Sequence, residues 1–475
     1  MGTREGREPD GGDILVDGGG HDLLGSLMKA RIDHLEPSIA QGPGNDLRPA
    51  VVTVESWLGN QDPSRHGAGG YRARFVPFSG LLSGLYAGSN QGSQVARFGY
   101  DLEELRMPKS RLHGLAAAGQ SIWSDELSRE MIDGGELERR ISEDAVSGVT
   151  SNPTIFAGAI TKGAAYDRPL QELAKSGHTA EEIVVKLMTA DIADACDVLR
   201  STWEWSEGGD GFVSVEVSPL VAHETDATVA EAREWVKRID RPNLLVKVPA
   251  TAAGVEAIRR LTAEGISINV TLVFSLPRYA AVMEAYQNGL AEYAEAGGKL
   301  KLVNSVGSFF VSRVDTEVDK RLEGVVGGER LLGKIAIAQA RVAYGMFLER
   351  FRTQEWMALE RKGGRVQRPL WASTSTKNPV YPDVMYVEKL VAPHTINTMP
   401  LATMDAFQDH GTPLAQPFGE GDVAEAQADL DRLAELGIDL DDVSQLLEDQ
   451  GVDKFAKSWH ELLADVEGER AAATS

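Results

Sequence analysis

Cysteine is almost absent from this 475-residue sequence, which holds a single one, Cys196. One thiol excludes an internal disulfide. With no CxxC and no Cys/His cluster, the common thiolate metal sites and dithiol redox chemistry are excluded too. Cys196 closes the run Ala190–Cys196, which reads as helix, so a small buried apolar role is expected. Positive charge is also scarce: 48 Lys and Arg stand against 71 Asp and Glu, a net charge of −23. That balance argues against nucleic acid and against anionic membranes as partners. An anionic small molecule then requires a few placed cations. No apolar run reaches membrane-spanning length, and Met1–Gly6 lacks the apolar core of a secretory signal. The expected compartment is the cytoplasm.

What is present divides into two unlike parts. Residues 1–106 are rich in glycine, as in Gly18–Gly20 and Gly67–Gly70, and their apolar residues keep no sustained period. They read as a mostly disordered or weakly structured extension, in which Ala50–Val54 is a strand without an evident partner. Well-patterned sequence starts at Met107. We expect the folded body to be 107–475 and the upstream stretch to be an over-long gene reading. A native chain whose mature N-terminus lies before Met107 would refute that expectation.

After residue 107, eight β-like runs alternate with helical patterns: Gln120–Asp125, Gly148–Ser151, Gly211–Val217, Leu244–Val248, Ser267–Phe274, Lys301–Val306, Pro369–Thr374 and His394–Thr398. Apolar residues at 3–4 spacing, such as Ile183, Val184, Leu187 and Met188, mark the helices between them. Eight strands mostly followed by helix predict an α/β fold, a closed (β/α)8 TIM barrel. Val314–Arg368 is long for one crossover and predicts extra helices. The acidic tail Asp422–Glu467 predicts helices that pack across the barrel.

In such a barrel the chemistry sits at the C-terminal ends of the strands. The fourth run carries Lys247 inside Leu244–Val248, an unusual place for a lysine. Burial destabilises an ammonium, and a free amine is the nucleophile of Schiff-base chemistry. Position alone does not decide this, since a lysine snorkelling to solvent reads the same way. Other runs add weight. Asp125 ends the first, Glu216 lies in the third, Asn269 and Thr271 lie in the fifth, and Ser308 follows the sixth. The second ends in Thr150-Ser151-Asn152-Pro153. A lysine, two acids and several hydroxyl or amide groups at one barrel end suit a carbonyl-addition enzyme with proton-transfer groups. No cofactor or metal is needed, because an iminium is itself an electron sink.

These residues sit in motifs of a known family. Gly148-Val149-Thr150-Ser151-Asn152-Pro153-Thr154-Ile155-Phe156 and Leu245-Val246-Lys247-Val248-Pro249-Ala250-Thr251, the latter followed by Gly254, match its two signatures. Gln120–Trp123, Ser308–Arg313, Arg368–Pro379 and Pro393–Pro400 extend the match. From about Leu112 to Leu463 the chain resembles the transaldolases, in their longer actinobacterial form. The resemblance implies a transferase of the non-oxidative pentose phosphate pathway. Lys247 would form the Schiff base with a ketose phosphate, fructose 6-phosphate or sedoheptulose 7-phosphate. Asp125 would take the C4 hydroxyl proton as C3–C4 breaks. Glu216 and Thr271 would handle the water that shuttles protons. Asn152, Asn269 and Ser308 would hold the dihydroxyacetone hydroxyls, with Thr150 beside them. Arg313 and Lys377 would bind phosphate, Lys377 standing where many relatives have arginine. A lysine offers a point charge in place of a bidentate fork. Arg313 has a structural alternative, at a helix start facing Asp315. The assembly would be a monomer or homodimer.

Two other readings remain. A fructose-6-phosphate aldolase of the same superfamily releases free dihydroxyacetone. Such aldolases resemble this chain but are shorter, with Tyr where Phe310 stands here, so Phe310 favours transfer. A non-catalytic sugar-phosphate-binding barrel is expected to have lost Lys247 or one of the acids, and none is missing.

Overall fold

The computed structural model describes residues 50–56, 71–77, 109–412 and 417–474. The chain divides into two units, Met1–Gly99 and Tyr100–Ser475. In the first, Ala50–Ser56 (β1) pairs antiparallel with Tyr71–Pro77 (β2), Ala50 opposite Pro77 and Ser56 opposite Tyr71. This corrects the reading of Ala50–Val54 as a strand without a partner. The partner run alternates Arg72 and Arg74 with Tyr71, Ala73 and Phe75, a period-2 signal hidden by its two charges. The remainder of residues 1–106, together with the expected start at Met107, lies outside the described residues.

The second unit is a closed barrel of eight parallel strands. In chain order they are Gln120–Ser124 (β3), Val146–Val149 (β4), Phe212–Glu216 (β5), Leu244–Pro249 (β6), Ile268–Val273 (β7), Ser305–Phe310 (β8), Gln367–Ala372 (β9) and Thr395–Met399 (β10). β10 closes on β3, with Thr395 level with Gln120. Seven strands fall within a few residues of their expected positions. The sixth does not: Lys301–Val306 was expected, and the strand is Ser305–Phe310. Leu300–Leu302 forms a 3-10 turn instead, and only Leu300 of the three is buried. The error came from following the apolar Leu and Val. The true strand carries Gly307, where a Cβ would come within 2.9 Å of the Tyr279 ring, and Ser308, whose hydroxyl faces Asn269 on the inner side. The shift places Ser308 and Phe310 on the strand itself.

Between the strands, local signals set the helix starts. Thr179 and Glu182 form a capping box for Ala180–Val198, whose buried face includes Cys196. Asn152 caps Pro153–Lys162, Thr251 caps Ala252–Ala263, and Ser275 caps Leu276–Glu295. The long segment after β8 holds Ser312–Leu322, Ile335–Arg350 and Gln354–Glu360. The acidic tail is two helices, Glu420–Glu435 and Leu440–Thr474. The second packs on the barrel through Val443, Leu447, Val452, Phe455, Trp459 and Leu462, all buried. Ser444 Oγ donates to Phe274 O at 2.9 Å, and Ser458 and Thr154 share a 2.9 Å hydroxyl contact. Among the described residues no helix is long and apolar enough to cross a membrane.

Candidate active site

The signature around Lys247 is first a folding signal. Pro249 ends β6, Thr251 caps the next helix, and a Cβ on Gly254 would run into the Pro249 carbonyl oxygen. The turn therefore needs glycine at 254, and it fixes the level at which Lys247 leaves the strand. Register then assembles a layer across three neighbouring strands: Glu216 is level with Lys247, and Lys247 with Asn269.

Lys247 is 5% exposed. Its Nζ donates to Ser151 O at 2.8 Å and lies 3.1 Å from Glu216 Oε2. That carboxylate oxygen is buried and off the line of a proper hydrogen bond, so the contact is an ion pair. Burial pushes the Glu216 carboxyl up from its ordinary range, and the Lys247 charge opposes that. Asp125, just beyond β3, accepts from Thr150 Oγ1 at 2.8 Å, and Thr150 in turn contacts Thr398 Oγ1 at 2.8 Å. Burial raises the Asp125 carboxyl as well, against the Lys247 charge and the Thr150 bond. Asn269 donates to Ser214 Oγ at 3.0 Å and accepts from Ser308 Oγ at 2.7 Å. Thr271 Oγ1 is buried and takes no protein partner.

These groups meet at a cavity of about 190 Å³ at the C-terminal end of the barrel. Asp125, Thr150, Asn152, Lys247, Thr271, Ser308, Phe310, Arg313 and Lys377 all line it. Glu216 and Asn269 stand behind the lining, in contact with Lys247 and Ser308. Asn152 splits its amide between two tasks, since Oδ1 caps the Ile155 N–H at 3.0 Å. Arg313 lies over the Phe310 ring with its guanidinium carbon 5.1 Å from the centroid, and burial disfavours its charge. Asp315 accepts from Ala336 N at 2.7 Å and Tyr386 Oη at 2.8 Å, and among the described residues it forms no ion pair with Arg313. Lys377 sits at the mouth, donating to Ser375 Oγ at 2.7 Å.

The sequence reading missed Ser375, Thr398, Lys454 and Phe455, which also line the cavity. Ser375 and Thr398 lay inside quoted motifs, and only their strand-end placement singles them out. Lys454 and Phe455 come from the tail helix and carried no local signal. A larger cavity, about 720 Å³, lies at the opposite end among Trp123, Phe212, Tyr344, Arg352, Arg365 and His394. It brings together no lysine and no acid pair, so size does not locate the chemistry here.

A family model described as Transaldolase/Fructose-6-phosphate aldolase matches residues 122–466. The chain is 53% identical over 357 residues to a protein named Transaldolase from Saccharopolyspora erythraea, covering 75% of this chain and 97% of that one. It is 50% identical over 364 residues to the Transaldolase of Mycolicibacterium smegmatis, covering 76% and 98%. A Transaldolase from Thermobifida fusca is 50% identical over 367 residues, covering 77% and 100%.

Proposed function

The chain belongs to the transaldolase/fructose-6-phosphate aldolase family, and from that premise we propose that it moves a dihydroxyacetone unit between sugar phosphates through a Schiff base on Lys247. The activity is that of a transaldolase, a transferase of the pentose phosphate pathway. The observation that carries the residue assignment is the Lys247 amine, buried in the barrel wall, facing the cavity and 3.1 Å from a buried glutamate.

On this reading the resting amine is an ion pair and must lose a proton before it attacks. Glu216 is the base in reach, and its raised carboxyl suits that transfer. The neutral amine adds to C2 of the ketose phosphate. The carbinolamine then expels its hydroxyl as water, with protons passed between Glu216 and the Thr271 hydroxyl. Asp125 takes the C4 hydroxyl proton. The C3–C4 bond breaks, its electrons flow into the iminium, and an enamine forms as the aldose phosphate leaves. Adding the enamine to a second aldose phosphate reverses these steps, and hydrolysis frees Lys247. Asn152, Asn269, Ser308 and Thr150 hold the dihydroxyacetone hydroxyls. Arg313 and Lys377 take the phosphate. The reaction belongs in the cytoplasm on this reading, because a phosphorylated sugar does not cross a bilayer unaided.

Borohydride reduction in the presence of fructose 6-phosphate is expected to label Lys247, read by peptide mass. A coupled assay with and without erythrose 4-phosphate is expected to show turnover only with the acceptor. Steady turnover without acceptor would assign the aldolase reaction instead, and loss of the Lys247 adduct would remove the mechanism.

A further inference from the structure

The helix Leu440–Thr474 crosses the mouth of the cavity, and its position there is built. Gly451 is what lets it come close: a Cβ at that position would sit 2.9 Å from Leu272 Cδ2 and 3.7 Å from Arg313 Nη1. Leu272 itself has a left-handed backbone, φ 57°, at the register break of β7. One turn beyond Gly451, Lys454 and Phe455 reach the cavity lining. Arg313 and Lys377 line the same mouth, so three cations from three separate elements converge on it. Among the described residues none of the three forms an ion pair with a carboxylate, in a chain with 71 acids and 48 bases. Their charges act on one another: burial lowers the Lys454 amine, and Arg313 and Lys377 lower it further. Lys377 is lowered in the same way, by burial and by Arg313, against the pull of the Asp125 charge. An anion held between the three cations would relieve this repulsion.

We propose that Lys454 is a third phosphate ligand of the site, and that the tail helix is thereby part of the substrate-binding surface. This rests on the transaldolase reading and deepens it. Lys377 supplies a point charge to a dianion, and Lys454 supplies a second one from the facing side of the mouth. The phosphate then bridges the barrel to the tail helix, so the site discriminates phosphorylated from unphosphorylated ketoses through a residue outside the barrel.

The test is Schiff-base trapping on the full chain with two donors. Fructose 6-phosphate uses the phosphate subsite, whereas dihydroxyacetone reaches Lys247 without it. In Lys454→Gln the half-saturating concentration of fructose 6-phosphate is expected to rise about tenfold, the worth of one partly exposed charged contact. That for dihydroxyacetone is expected to stay unchanged, and Lys454→Arg is expected to recover most of the loss. Inorganic phosphate, measured by calorimetry, is expected to bind the Gln variant about tenfold more weakly. An equal rise for both donors would make Lys454 a structural residue and overturn the proposal, as would no rise for either. If the unmodified enzyme traps neither donor, the Schiff-base reading fails instead, and the phosphate titration still decides the role of Lys454.

Discussion

Asp210 and Glu216, acids at opposite ends of the barrel, are held differently. At the N-terminal end Asp210 accepts from Trp123 Nε1 at 2.8 Å, from Ser147 Oγ and Gly211 N at 3.0 Å, and from Ser121 Oγ. Arg368 joins it at 3.5 Å and also donates to Ser121 Oγ at 2.6 Å and Thr395 O at 2.9 Å. This knot ties β3, β4, β5, β9 and β10 across the seam where the barrel closes. Its acid is saturated with donors. Among the described residues at the C-terminal end, Glu216 Oε2 and Thr271 Oγ1 make no hydrogen bond, and Arg313, Lys377 and Lys454 form no ion pair with a carboxylate. Saturated polar groups hold a fold together; unsaturated ones remain available to a substrate. The contrast follows the general division of such barrels into a stabilising face and a reactive face.

Substitutions at the two ends should therefore fail in different ways. Lys247→Ala should have the largest effect, reducing activity to background and abolishing the borohydride adduct while the circular dichroism spectrum stays that of the parent. Asp125→Asn should come next, lowering kcat by roughly 10²–10⁴-fold. The pH profile sharpens this. On the proposed mechanism Asp125 acts as a carboxylate, so activity should fall as pH drops through its pKa. Because burial raises that pKa, the acid limb of kcat/KM should lie above the ordinary carboxylate range, near pH 4 for a free side chain. Glu216 is raised in the same direction, so the limb belongs to the pair. A limb within the ordinary range would count against both assignments. Asp210→Asn should show the opposite behaviour: about 1–3 kcal/mol lost in urea unfolding, with kcat within twofold of the parent. A large fall in kcat there would break the comparison between the two ends.

Much of the site was legible because its residues lie in or next to strands. Asp125, Glu216, Lys247, Asn269 and Thr271 stood out as polar groups in apolar runs, where such groups are depleted. Ser308 was recognised although its strand was drawn four residues early, since the motif around it survived the shift. The β1–β2 pair was missed because antiparallel pairing depends on a partner that composition does not reveal. The knot around Asp210 was missed for a related reason. Asp210 sits in the loop Glu207–Gly211, which looks like solvent, and only barrel closure brings Trp123, Ser147 and Arg368 to it.

The sequence by itself determined the alternation of strand and helix, the barrel it implies and a lysine set in an apolar strand of it. Those are local matters: period, caps, and a glycine that a tight turn requires. The tertiary structure alone decided which polar groups meet. Register set Glu216 and Asn269 level with Lys247. The packing of the tail helix, made close by Gly451, carried Lys454 to the cavity that holds Lys247, some 200 residues earlier in the chain (positions 454 and 247). Charges interact through space over a few ångströms, and a linear sequence holds no record of that distance until the barrel closes.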